Sequence, residues 1–119
     1  MEYATPVWTG SLTVQQSKDL ERVQRMALSI ILARRPWMPY SQACREMGLE
    51  KLSSRREALA LRWANKTTKS RHKNIFTPNP RFTPNDTRRK LPFIEPRGRT
   101  QRLWKSPVCY LTRLLNTQQ

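Results

Sequence analysis

Apolar residues recur at helical spacing through the first half of the chain and are broken up by proline through most of the second. Leu20, Val23, Ala27, Ile30 and Ile31 follow one another at three- and four-residue steps, with Lys18, Asp19, Glu21, Arg22 and Arg25 falling mainly on the other side. This pattern predicts an amphipathic first helix. Thr13 and Gln16 mark its start as a capping box, in which the hydroxyl accepts from the first turn and the amide reaches back to the cap. Arg34 and Arg35 suit its negative C-terminal pole, and Pro36 prevents continuation. Pro39 and Tyr40 then open a shorter helix whose Ala43, Cys44 and Met47 share a face, with Gly48 placed as the left-handed residue beyond its end. Ser54 and Glu57 form another capping-box pattern, predicting a third helix along Leu59 and Trp63, with Leu52, Ala58 and Leu61 nearby. Three helices on short links are expected to share one core over residues 13–70.

The flanks read differently. Residues 1–12 offer Tyr3, Val7 and Trp8 as apolar groups, Pro6 limits any helix and no cap precedes it, so the segment is expected to be the remnant of an upstream element. Over residues 71–105, Pro78, Pro80, Pro84, Pro92 and Pro96 arrive faster than a helix can form between them, and a basic, extended or disordered tail is expected. Over residues 106–119, Ser106 caps a short helix with Pro107 at its first position, and Val108, Leu111, Leu114 and Leu115 form an apolar stripe that needs a partner surface. The expected fold class is all-α: a small bundle of about three helices, then an irregular Pro/Arg-rich tail and a short terminal helix.

Charge changes the picture from fold to partner. Twenty-three Lys and Arg stand against eight Asp and Glu in 119 residues, a formal net charge of +15 that opposes compaction unless a polyanion supplies counter-charge. From Arg81 onward the net is +7 in 39 residues, so charge concentrates in the tail. The backbone of RNA or DNA is the partner this balance suits, and such binding weakens as salt rises. Two cysteines and a single histidine cannot assemble a four-ligand zinc site, so no metal or other cofactor is expected. With two cysteines only and no signal-peptide pattern near Met1, the thiols are expected to be reduced and the chain intracellular, in cytoplasm or nucleus. The longest apolar run, Met26 to Ala33, is too short to cross a bilayer, and no membrane partner is expected.

No catalytic constellation is visible, and no small-molecule substrate is expected. Two-metal nucleotidyl transfer requires clustered carboxylates, whereas the acids here are scattered singly. The three glycines are isolated, so no phosphate-cradling loop exists, and His72 sits among Arg71 and Lys73 as a solvated residue. The candidate binding residues are the cations Arg88, Arg89, Lys90, Arg97, Arg99, Arg102 and Lys105, interleaved with Phe93 and Trp104, an order that sets cations on phosphates and rings on unstacked bases. The alternative is that Phe82, Phe93 and Trp104 anchor an irregular arm on the helical core while the arginines face water. A helix-turn-helix reading through Arg55, Arg56 and Arg62 lacks a polar base-reading set on the third helix.

Several stretches resemble one family. Glu2-Tyr3-Ala4-Thr5-Pro6-Val7-Trp8, then Leu20-Glu21-Arg22-Val23-Gln24-Arg25 leading to Ile30-Ile31-Leu32, resembles the segment after the catalytic core of reverse transcriptases from non-LTR retrotransposons of the jockey-like and related animal groups. The likeness continues in order through Tyr40 and Ala43, then Met47-Gly48-Leu49, Leu52 and Arg55-Arg56, and closes on Ser106-Pro107 and Tyr110-Leu111-Thr112-Arg113-Leu114-Leu115-Asn116. The sequence departs from the family at Ala33-Arg34-Arg35, where glycine is more usual, and at Cys109, where proline is frequent. The resemblance implies a C-terminal, post-thumb remnant of an RNA-directed DNA polymerase, without fingers, palm aspartates or endonuclease. Such a region would help hold template RNA or target DNA, with the polymerase domains themselves as further partners. Two other readings stay open: an independent or domesticated small basic RNA/DNA-binding protein, and an interaction segment whose last helix docks onto a missing polymerase domain.

Overall fold

A computed structural model describes residues 3–33, 38–84 and 91–118. Among these the chain is mostly helical: α1 Thr5–Trp8, α2 Val14–Ile31, α3 Tyr40–Glu46, α4 Leu52–Thr68, α5 Gln101–Trp104 and α6 Pro107–Thr117, with 3₁₀ turns at Thr9–Ser11 and Lys73–Ile75. No strand is present among the described residues, which carry one isolated antiparallel bridge, Pro78 to Phe93. The all-α class expected from the sequence is the observed one. The chain divides into two compact units, Leu12–Ala58 and Met1–Ser11 with Leu59–Gln119, and the division falls within α4.

In the unit Leu12–Ala58, α2 starts where the capping box places it. Thr13 Oγ1 accepts from the Gln16 N–H at 3.2 Å, and Gln16 Oε1 accepts from the Thr13 N–H at 2.9 Å. At the far end Ala33 takes φ 52°, while Arg34, Arg35 and Pro36 lie outside the described residues. The core of this unit is Leu28, Ala43 and Cys44, with Leu32, Met38 and Tyr40 packed against it. That corrects the expected α2 face: Val23, Ala27, Ile30 and Ile31 are exposed, Leu20 is half-buried, and the covered side is the one carrying Leu28, Gln24 and Glu21. The reason is polar. Gln24 Nε2 donates to the Glu50 carbonyl at 3.1 Å, Tyr40 donates to Glu21 at 2.5 Å, and the buried Arg56 reaches Ser17 Oγ at 2.7 Å. Buried polar groups require partners, and satisfying these selects which side of α2 is covered.

Helix α3 ends in a Schellman motif. Gly48 sits at φ 62°, its N–H donates to the Arg45 carbonyl at 3.1 Å, and the Leu49 N–H donates to the Cys44 carbonyl at 2.8 Å. Helix α4 begins at Leu52, ahead of the expected Ser54 cap, because its orphan first-turn N–H at Ser53 donates to the Glu21 carboxylate of α2 at 2.7 Å.

In the other unit Ala60, Ala64, Phe76, Leu111 and Leu115 form the core, with Leu61, Phe93, Tyr110 and Leu114 against it. Here α4 buries Ala60 and Ala64 and leaves Trp63 exposed, which corrects the expected Leu59 and Trp63 face. Two alanines one turn apart let the Phe76 ring and the α6 leucines approach closely. The α6 stripe therefore finds its partner surface within its own chain, and α6 begins as read, with Ser106 Oγ accepting from the Cys109 N–H at 3.5 Å and Pro107 in its first turn. Pro6 does not prevent α1, since in a first turn its missing N–H has no helical partner to lose. Gly10 lies against α6: a β-carbon there would stand 2.5 Å from Tyr110 Cβ.

Candidate nucleic-acid interface

Of the nine candidate residues, Arg88, Arg89 and Lys90 lie outside the described residues. Of the other six, Phe93, Arg97 and Arg99 belong to a proline-broken arm that is extended and fixed at several points, whereas Arg102, Trp104 and Lys105 lie in and just after α5, a helical turn within the stretch expected from the sequence to be extended. The arm's two limbs pair through the Asn79 N–H to the Pro92 carbonyl at 2.8 Å and the Ile94 N–H to the Thr77 carbonyl at 2.9 Å. Asn116 of α6 then clamps the second limb with its side-chain amide. Its Oδ1 accepts from the Phe93 N–H and its Nδ2 donates to the Phe93 carbonyl, both at 3.1 Å. This satisfies both backbone groups of Phe93 as a neighbouring strand would.

Arg113, one turn before Thr117, makes the second fixing point. Its Nε lies 3.3 Å from Glu95 Oε1, its Nη2 donates to the Trp104 carbonyl at 2.8 Å, and its guanidinium carbon lies 4.3 Å from the centroid of the Trp104 ring. One cation thus pairs with Glu95, satisfies a carbonyl at the end of α5 and covers an indole face.

These contacts assign the two candidate aromatics. Phe93 is half-buried and packs edge-on against buried Phe76 at 6.2 Å between centroids, on the side of the core. Trp104 stays partly exposed, with one face taken by Arg113. Neither presents two free faces for stacking.

The described cations fall within nine residues of one another, on the end of the arm and on α5. Gly98 lies against α5, where a β-carbon would stand 3.0 Å from the Trp104 nitrogen, so Arg97 and Arg99 on either side of it are held beside α5. Thr100 caps that helix by accepting from the Leu103 N–H at 3.3 Å. Arg97, Arg99 and Arg102 are exposed and Lys105 is half-buried. Arg102 and Lys105 line one open depression of about 690 Å³ together with Val7, Leu103 and Pro107, and with the hydroxyl residues Ser11, Thr100 and Ser106.

Val7 and Leu103 lie 96 residues apart, and no pattern in the sequence joins them. The fixing roles of Asn116 and Arg113 were equally hidden, because a lone Asn or Arg on a short helix reads as solvated surface.

Cys44 and Cys109 are free and buried, and His72 is exposed. Among the described residues no three His, Cys, Asp or Glu side chains gather as a metal site, and no helix is long and apolar enough to cross a membrane. Comparisons of the chain with family models, with curated proteins and with solved structures find no match.

Proposed function

We propose that this chain represents the non-catalytic region that follows the catalytic core of a non-LTR retrotransposon RNA-directed DNA polymerase, and that it holds RNA or DNA by the backbone without sequence preference. The observation that carries the binding reading is the gathering of Arg97, Arg99, Arg102 and Lys105 on one fixed segment, in a chain of net charge +15. Cations held on a pinned arm lose less freedom on meeting phosphates than cations on a free tail. The family reading is supported by the ordered sequence likeness, and by Ala33, which takes a left-handed backbone where the family more often carries glycine.

Salt-dependent binding of the intact chain to a fluorescent single-stranded RNA tests the binding reading. Affinity is expected to fall linearly on logarithmic axes, and replacing Arg97, Arg99 and Arg102 by Gln should lower the slope by about 2, at roughly 0.7 per phosphate contact on a single strand. An unchanged slope would refute this placement of the interface. Template-dependent DNA synthesis by the purified chain would overturn the non-catalytic assignment.

A second reading, an independent small basic RNA/DNA-binding protein, draws on the burial of Leu111 and Leu115 of α6 within the chain's own core. A last helix already covered needs no missing polymerase domain to dock against. Tight binding of a palm-and-thumb fragment to the intact chain would argue against this second reading.

A further inference from the structure

The depression lined by Val7, Leu103, Pro107, Arg102 and Lys105 combines two chemistries that single-stranded nucleic acid also combines. Val7 and Leu103 are 58% and 47% exposed, so apolar surface stands in water directly beside two cations. A bare phosphate would satisfy the cations and leave the apolar lining wet. A duplex would offer phosphates while keeping its base faces stacked inside. An unpaired nucleotide offers both at once, a flat apolar face and a phosphate on its own sugar.

We propose that this depression is a subsite for one unpaired nucleotide, its base resting on Val7, Leu103 and Pro107 and its backbone phosphate on Arg102 and Lys105. The subsite rests on the nucleic-acid reading above and adds a preference to it: single strands over duplexes, through the base face and without regard to base identity. It takes over the stacking role expected of Phe93 and Trp104, since Phe93 packs against the core and Arg113 occupies one face of Trp104. The nucleotide is favoured over an apolar acidic peptide by the further exposed cations Arg97 and Arg99, which precede Arg102 and Lys105 on the same basic segment. A strand carries a phosphate at every residue, and can meet all of these cations in one pass.

The experiment compares the intact chain's affinity for a labelled oligothymidylate, for a strand of the same length with abasic residues, and for a duplex. The base-bearing strand is expected to bind roughly tenfold more tightly than the abasic one, the low end of what a base gains on an aromatic ring, because the lining here is aliphatic. Leu103→Ser, alone and with Val7→Ser, should remove that difference without altering the salt slope, helicity being checked by circular dichroism. Arg102→Gln with Lys105→Gln should weaken both strands and reduce the slope. Equal, salt-dependent binding of the base-bearing and abasic strands overturns the subsite and leaves backbone binding standing, whereas binding to no strand overturns both. Displacement of the oligothymidylate by an acidic, phenylalanine-containing peptide as readily as by unlabelled strand would show a site for any apolar anion and overturn the nucleotide assignment.

Discussion

Glu21 shows how one residue can organise a unit with a small apolar core. Its carboxylate accepts from the Tyr40 hydroxyl and from the Ser53 N–H. Burial pushes the carboxyl up, but hydrogen bonds from the Tyr40 hydroxyl, from Ser53 and from the Leu52 backbone outweigh this and hold it below its ordinary value of 4.5. Burial first, and then the bond to Glu21, pushes the Tyr40 hydroxyl above its ordinary value of 10.0. A depressed carboxyl stabilises the fold above pH 4.5, and that contribution is lost as pH falls through its lower folded value. A raised phenol stabilises below pH 10, and its contribution is lost as pH rises through its folded value. Glu21→Gln is expected to cost about 1–2 kcal/mol at neutral pH, with the gap to wild type closing below pH 4.5 in denaturant titrations. Two left-handed residues give opposite expectations. Gly48→Ala should destabilise by about 1 kcal/mol through backbone strain alone, since nothing lies near the added methyl. Ala33→Gly should relieve the same strain, for a gain of up to about 1 kcal/mol in thermal or chemical unfolding.

At the scale of elements, local signals succeeded where the hydrogen bonds they describe are local. The Thr13 box, the Gly48 motif and the Ser106 cap each involve residues within six positions of one another, and each formed. The Ser54 and Glu57 box did not start α4, because the Glu21 carboxylate had already met the helix start from thirty-two positions away. Thr13→Ala is expected to cost about 1 kcal/mol, read as a lower unfolding midpoint. The contact between the Thr9–Ser11 turn and α6 is tighter. With Tyr110 Cβ only 2.5 Å from the position of an added methyl, Gly10→Ala forces the two apart and should destabilise by about 1–3 kcal/mol. If Gly10→Ala unfolds at the wild-type denaturant midpoint, that close approach is wrong.

Over the whole molecule, +15 charges on 119 residues set the dependence on ionic conditions. Repulsion among them weakens with ionic strength, so the free chain should become more stable between low and moderate salt while its affinity for a strand declines. Opposite signs for the two effects, measured on one preparation by thermal unfolding and by anisotropy, separate self-repulsion from loss of phosphate contacts. The arm that carries the candidate cations illustrates the same scale. Proline spacing keeps its described residues between Thr77 and Pro96 non-helical, and their extended path is fixed by Asn116 and Arg113 of α6, with Glu95 and Phe93 of the arm as their partners.

The sequence by itself determined the helical class, the starts of α2 and α6, the end of α3 and the excess of cations. All of these depend on periodicity, on proline and glycine geometry, or on charge counts that no folding step alters. Only the tertiary structure decided which side of α2 is covered, which residues of α4 are buried, and that Phe93 packs against Phe76 while Val7 and Leu103 line one depression. The physical reason is that amphipathic spacing identifies faces able to be buried without naming the one that is. That choice falls to polar groups far apart in the chain, such as Glu21 with Ser53 and Asn116 with Phe93, whose hydrogen bonds must be satisfied together.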